Sequence, residues 1–387
     1  MPDQTTPVLV SAARTPFGRF NGALAGVDSV DLGATAVSAA IERAGGIVPD
    51  RVLLGNVVQA GNGQNPARIA ATRAGVPMTV PAITLNDVCL ASMSAVSFAA
   101  TLIQTEQIAT AVVGGFDSMS RALHGAQVRA ARKTGDGVLV DLLMRDGLWC
   151  ALTDQGMGEI SEQANTDLGI NRAVQDEFAA RSQQRAGQAT TTGRLGAEIV
   201  TVAKVDLNHD EGIRPDTTAD VLARLRPAFS PTGSITAGNS SQMTDGGSAG
   251  VVTSRRRAEE LELQPLVEIV GGAVAAGPDA SLHTKPADAA RRLLARHGLS
   301  VKDIGLWEIN EAFAGVVVAS MRALELDPEK VNVNGGAVAV GHPLAASGFR
   351  LVQTLSLQMR RDDIEWGVAS MCGGGGQGQA ILLRLPS

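Results

Sequence analysis

Residues 8–58 and 265–309 pass through the same order of patterns, and that repetition limits the chain to folds built from two like halves. In the first copy Val8–Ala12 is a β-branched run, Leu32–Arg43 has helical periodicity closed by Gly45 and Gly46, and Val52–Val58 reads as a buried strand. In the second, Pro265–Ala273 is strand-like, Ala287–His297 is helical and Ile304–Ile309 is again a strand. AAIERAGGIVPDRVLLGNVV, starting at Ala39, has the rhythm of RRLLARHGLSVKDIGLWEIN, starting at Arg291. The next pair continues the match. Cys89 precedes a helix over Leu90–Thr105 and a strand over Ala109–Gly115; His342 precedes a periodic segment over Leu344–Met359 and a strand over Trp366–Ser370. Strands and helices alternating at this spacing predict an α/β sheet. Two such halves packed about a pseudo-twofold axis bring Cys89 and His342, at equivalent helix starts, to one site.

The chemistry concentrates at those starts. From Asn332 to Gly378 the sequence reads NVNGGAVAVGHPLAASGFRLVQTLSLQMRRDDIEWGVASMCGGGGQG, with one glycine-dense turn presenting His342 and another presenting Cys372. Cys89 follows the extended segment Pro77–Leu85, where backbone N–H groups and a helix dipole are expected to lower the thiol pKa and favour the nucleophilic thiolate. Between the halves the chain turns more polar, with the stretch Arg129–Gly137, a helix expected over Ala173–Thr190 and several turns. The chain therefore divides into a first half (1–117), an inserted loop domain (118–247) and a second half (248–387). Within the insertion Arg214, Arg224 and Arg226 are either a phosphate-facing set or solvated surface cations. The small residues Thr236–Ser241 allow close backbone approach to a ligand, or form only a turn.

Composition removes other classes. Of 387 residues 44% are apolar and 19% charged, as in a soluble globular protein. The net charge is −6 with no block of Lys and Arg, which argues against a nucleic-acid partner. Cys89, Cys150 and Cys372 have neither disulfide nor metal-ligand spacing, so no metal is expected and a reducing, cytoplasmic compartment fits. No signal peptide and no membrane-spanning run is visible.

RTPFGRFNG from Arg14, LNDVCLASMSA around Cys89, LRPAF from Leu225, TAGNSSQMTDG from Thr236, EINEAFA from Glu308, the GHP turn and MCGGGGQG from Met371 together resemble the thiolase family along essentially the whole chain. The resemblance implies a five-layered α/β/α/β/α fold with an inserted loop domain, in a homodimer or homotetramer. It implies reversible condensation of two acetyl-CoA to acetoacetyl-CoA, or thiolysis of a 3-ketoacyl-CoA, by a ping-pong route with coenzyme A as substrate and no cofactor. By the same resemblance Cys89 is the nucleophile, His342 its base and Cys372 the acid/base for the α-proton. Asn310 holds a water that forms one oxyanion hole with His342, and the N–H groups of Cys89 and Gly374 form the other. Met157, Arg214, Ala237 and Ser241 are expected to contact coenzyme A.

The sequence also departs from the family pattern. Ala91 and Ser92 follow the nucleophile where C-x-S-G is usual, and Ala345 replaces a glycine of the GHP turn. The loop AAGPDASLHTKP, from Ala275, replaces G-x-G-P-x-P, which leaves acyl-chain preference open; His283 within it is a substrate contact or a surface residue. The segment before Met157 reads Asp154-Gln155-Gly156 and lacks the histidine found there in some biosynthetic relatives. Glu311 is expected to orient its loop, and Cys150, His124, His209 and His297 to have no role in the chemistry. The alternatives are a non-catalytic acyl-CoA-binding homologue and a ketoacyl synthase.

Overall fold

The computed structural model describes residues 3–129 and 136–386, so part of the stretch Arg129–Gly137 lies outside the described residues. The first half contributes β1 (Pro7–Arg14), α1 (Ser29–Arg43), β2 (Arg51–Gly55), α2 (Pro66–Arg73), β3 (Ala82–Leu85), α3 (Ala91–Gln104) and β4 (Thr110–Ser118). The insertion carries α4 (Met157–Asp167) and α5 (Arg172–Thr191). It is followed by β5 (Thr244–Ser254), β6 (Val267–Ala276), α6 (Lys285–Arg296), β7 (Leu306–Ile309), α7 (Ala314–Leu324), α8 (Leu344–Asp362), β8 (Trp366–Gly373) and β9 (Gln377–Arg384).

The strands run in the order β7-β8-β9-β6-β1-β5-β4-β2-β3 within one ten-stranded sheet. Its centre is the antiparallel pair β1 and β6, where Val8 faces Glu268 and Leu9 faces Val267. Outward from that seam each half repeats one sequence of neighbours: β1, β5, β4, β2 on one side and β6, β9, β8, β7 on the other. The repeat expected from residues 8–58 and 265–309 is therefore the symmetry of the fold. Two strands of that symmetry carry no such signal in the sequence. β5 is interrupted by Gly246, Gly247 and Gly250, and β9 follows directly on the glycine turn after Cys372. The glycines of β5 mark close approach rather than a loop: a Cβ on Gly247 would stand 2.6 Å from the Leu32 carbonyl oxygen, and one on Gly250 2.3 Å from the Phe349 ring. β5 begins at Thr244 and so joins the first half's sheet before residue 247.

Five layers follow from what covers each face. α1 and α2 pack on the outside of the first half-sheet, α6 and α7 on the outside of the second, and α3 and α8 lie between the two. Central helices must be apolar or self-satisfied all round and must approach closely. α3 is accordingly built of small residues (ASMSAVSFAATLIQ), and α8 buries even Arg350, Gln353 and Ser356. The two meet at Gly348, where an added Cβ would come within 2.7 Å of the Met93 backbone nitrogen. The insertion is tied back by Arg14 of β1, fully buried between Glu198 and Asp210 at 2.6 Å from each. Removing one member of such a buried set typically costs about 3–5 kcal/mol.

Candidate active site

The first half delivers its cysteine through a sharp turn. Val88 has φ of +48°, left-handed space that a β-branched residue seldom occupies, and strain of this kind is characteristic of functional sites. Leu90 N–H bonds back to the Asp87 carbonyl and Ala91 N–H to that of Val88, so the chain turns tightly and α3 begins two residues after Cys89. Cys89 is left partly exposed with its own N–H and that of Gly374 facing its sulfur. The thiol pKa is nevertheless pushed up to about 12. Burial is the largest cause, the two N–H groups pull it back, and the carboxylates Asp117 and Asp87 push it further up. The expectation of a lowered thiol pKa is thus overturned: removal from water outweighs the helix terminus.

The second half delivers His342 by an equivalent route, two residues ahead of α8. Gly341 takes φ of +104°, where a Cβ would collide with Thr244, and His342 N–H bonds to the Gln242 carbonyl at 3.0 Å. The buried imidazole is clamped at both nitrogens. Ser347 Oγ donates to the Pro343 carbonyl at 2.9 Å and has one proton only, so at 2.5 Å it accepts from His342 Nδ1–H. That assigns the lone pair to Nε2, which faces Asn310 Nδ2 at 3.4 Å. Burial, helped by the Arg350 charge, lowers the His342 pKa to about 3, and the ring rests neutral.

Cys372 lies on β8 itself, paired with Gly378 of β9, and the glycine turn follows it rather than presenting it. Burial, then the neighbouring Cys89, pushes its thiol pKa far up. Cys89, His342, Cys372 and Gly374 line one small cavity of about 60 Å³ with Val88, Leu148, Met157, Ser241, Leu282, Phe313 and Leu344. A water's share of the liquid is about 30 Å³, so this space suits a group of roughly two or three heavy atoms. It continues into a groove of about 690 Å³, within the range of small-molecule sites, where Ala237, Ser241 and Met157 line the wall along with Phe229 and Trp149, and Arg214 and Arg19 supply positive charge.

All nine residues singled out for catalysis and coenzyme A contact therefore gather here, Asn310 from behind His342 and the others on the two cavity walls. Arg224 and Arg226 are exposed outside both cavities, as solvated cations. His283 is neither a surface residue nor a lining residue: its loop folds against α4, and Nε2 meets Asn165 Oδ1 at 2.8 Å in full burial. Glu311 accepts from Ser182 Oγ, Asn332 Nδ2 and Val338 N–H, tying its loop to α5 and to the segment before His342. The departures from the family pattern are packing points. Ala91 sits against Gly55, Ser92 Oγ accepts from Phe349 N–H at 2.9 Å, and Ala345 N–H donates to Asp117 Oδ2 at 2.7 Å. Sequence reasoning missed the apolar wall (Leu148, Leu282, Phe313, Leu344), drawn from four remote segments, and Ser347, five residues past His342 in its own motif.

Residues 7–256 match the family model described as thiolase, N-terminal domain, and residues 263–385 that described as thiolase, C-terminal domain. The chain is 44% identical to the "Probable acetyl-CoA acetyltransferase" of Mycolicibacterium smegmatis over 97% of its length and 100% of that protein. It is 43% identical to the "Acetyl-CoA acetyltransferase" of Escherichia coli over 97% and 98% respectively. A solved structure, that of the Bacillus anthracis acetyl-CoA acetyltransferase, superposes with a TM-score of 0.95 at 36% identity, covering 98% of this chain and 99% of that one.

Proposed function

The chain belongs to the thiolase family, and from that premise we propose that it condenses two acetyl-CoA to acetoacetyl-CoA and coenzyme A, reversibly, through an acyl-Cys89 intermediate. The observation that carries the reading is the convergence of two thiols, a neutral imidazole with its lone pair on Nε2 and the Gly374 N–H on one acetyl-sized cavity. In the first step the Cys89 proton passes to His342 Nε2 as the sulfur attacks the thioester carbonyl. The carbonyl oxygen, as it gains charge, is held by the N–H groups of Cys89 and Gly374; one such donor is typically worth roughly 2.7–4 kcal/mol. The C–S bond to coenzyme A breaks, and the leaving thiolate takes the proton of Cys372. Because both Cys89 and Cys372 rest protonated and His342 rests neutral, attack is coupled to the arrival of the thioester instead of exposing a standing thiolate.

In the second step the Cys372 thiolate removes the α-proton of a second acetyl-CoA. Its raised pKa makes it a base strong enough for a carbon acid. The enolate oxygen accepts hydrogen bonds from the Nε2–H of His342 and from the group bound by Asn310, whose buried Oδ1 has no partner in the protein. The enolate carbon attacks acyl-Cys89, the C–S bond breaks, and the His342 proton returns to the Cys89 sulfur. Thiolysis of a 3-ketoacyl-CoA is the reverse. Arg214, Ala237, Ser241 and Met157 are assigned to the coenzyme A arm because they line the groove leading to the cavity. Cys89, His342, Cys372 and Asn310 gather at one cavity, and the relatives are named acetyl-CoA acetyltransferases, so a non-catalytic binder is not favoured.

We also propose a homodimer or homotetramer. Exposed Val128, Val138 and Leu139 in the insertion and the exposed Ile83 on the edge strand β3 support it. No helix among the described residues is long and apolar enough to cross a membrane. The function is tested by intact mass with and without acetyl-CoA, followed by peptide mapping. A single acetyl group on Cys89 is expected, and its absence while coenzyme A still binds overturns the proposal.

A further inference from the structure

His283 takes no part in that mechanism, yet it is fully buried beside the site. The Asn165 amide donates to Gln175 Oε1 at 3.2 Å and to Ser234 Oγ at 3.4 Å, so its Oδ1 is the acceptor and His283 the donor, a neutral imidazole protonated on Nε2. Ser320 Oγ donates to the His283 carbonyl at 3.3 Å. Gly315 of α7 makes room for the bond, since a Cβ there would stand 2.2 Å from Asn165 Oδ1 and 2.9 Å from His283 Nε2. The link joins loop 277–284 to α4 and, through Gln175 and Ser234, to α5 and the segment before Ile235.

Both ends of the link bear on the acyl cavity. Leu282, adjacent to His283, packs with Phe313, Val316 and Cys372, and Met157, the first residue of α4, packs on the same cluster. Both residues line the cavity. The loop's other anchors run elsewhere: Gly277 N–H bonds to the Gly376 carbonyl, and Lys285 Nζ to the Gly277 carbonyl. Only the His283 side chain, among these anchors, fixes the loop to α4.

We infer that His283 is a positioning residue for acyl-chain length: through Asn165 it holds Leu282 and Met157 at the spacing that closes the cavity around a two-carbon acyl group. The inference rests on the thiolase reading. Breaking the link lets Leu282 and Met157 separate and admits a longer acyl chain, while the reacting groups on β8 and at the two helix starts stay in place. An added methylene against a fitted wall changes discrimination by roughly 10–200-fold.

The experiment measures kcat/KM for thiolysis of acetoacetyl-CoA and of 3-ketohexanoyl-CoA in the wild type, His283→Ala, His283→Gln and Leu282→Ala. The wild type is expected to prefer acetoacetyl-CoA by roughly 100-fold. His283→Ala narrows that preference by about tenfold, through a gain on the longer substrate, and acetylation of Cys89 by acetyl-CoA stays within a few-fold. His283→Gln, whose Nε2–H can still reach Asn165, keeps the wild-type ratio. A merely structural histidine would depress both substrates together, and an unchanged ratio in folded His283→Ala overturns the inference. If that variant does not fold, Leu282→Ala decides: it leaves the link intact and removes the wall, so failure to narrow the same preference is equally fatal. A wild type that cleaves neither substrate would instead sink the thiolase reading.

Discussion

Cys89 and His342 occupy the same address in the two halves of a duplicated fold, each two residues ahead of a central helix, but the two turns are built differently. The cysteine turn is strained at Val88, partly exposed, and turns the Cys89 N–H towards its own sulfur. The histidine turn is buried, and its ring is held from Ser347 on one nitrogen and faced by Asn310 on the other. In the mechanism proposed above, one turn presents the atom that forms and breaks bonds with carbon. The other fixes the atom that receives and returns a proton. Duplication supplies two equivalent positions on facing halves, and the chemistry arises from how differently each is finished.

Removing the reacting atom should do the most damage. Cys89→Ala is expected to abolish acetylation and turnover, a loss beyond about 10⁴-fold, whereas His342→Ala should slow acetylation by roughly 10²–10⁴-fold. Comparable acetylation rates in the two variants would mean that the turns do not divide the labour in this way. Cys372→Ala separates the steps: an acetyl group should still appear on Cys89 while condensation falls by roughly 10²–10⁴-fold. Condensation at the wild-type rate in that variant would remove Cys372 from the second step.

The clamp on the histidine turn carries the next smaller effect. Ser347→Ala leaves the buried Nδ1–H without its acceptor, a cost of about 1–3 kcal/mol, and frees the ring to place its proton on Nε2. We expect kcat to fall about tenfold to a hundredfold with KM nearly unchanged, because Ser347 touches no part of the groove. A variant in which KM rises and kcat holds would show that the serine shapes binding and not the tautomer.

What was legible in the sequence follows the same divide. The repeat, the two helix starts and the candidate reactive residues all announce themselves, because each places glycine or a sharp turn within a few residues of a Cys or His side chain. β5 does not, since Gly247 and Gly250 are there to admit Leu32 and Phe349 from distant parts of the chain, and no local pattern encodes a distant neighbour. The acyl wall is silent for a similar reason: Leu148, Leu282, Phe313 and Leu344 are ordinary apolar residues until the fold gathers them. The thiol pKa was misjudged because a helix start can be read from sequence, whereas burial and the nearby Asp117 cannot. His283 was misplaced for want of Asn165, its partner in a bond across 118 residues of chain, and of Gly315, which leaves room for that bond.

The smallest effect tests the contrast through pH. Asp117, on β4 beneath the cysteine side, accepts from the N–H groups of Val57, Val58 and Ala345, yet burial raises its pKa to about 6. A carboxyl raised in the folded state binds its proton more tightly there than in the unfolded chain. Its contribution is therefore fully present below the unfolded value near 3.8 and is lost as pH rises towards 6. His342 is lowered to about 3, so the unfolded chain takes up the proton first. Its contribution is fully present above the unfolded value of 6.5 and is lost as pH falls. Between pH 4.5 and 6 the two sides must then pull in opposite directions, each by about 1–2 kcal/mol at 1.36 kcal/mol per pKa unit. Urea unfolding at those two pH values reads the difference between wild type and each variant. The stability advantage of wild type over Asp117→Asn should shrink as pH rises, and that over His342→Gln should grow. Slopes of the same sign would mean that the two turns share one electrostatic environment, and the asymmetry between them would then lie in backbone geometry alone.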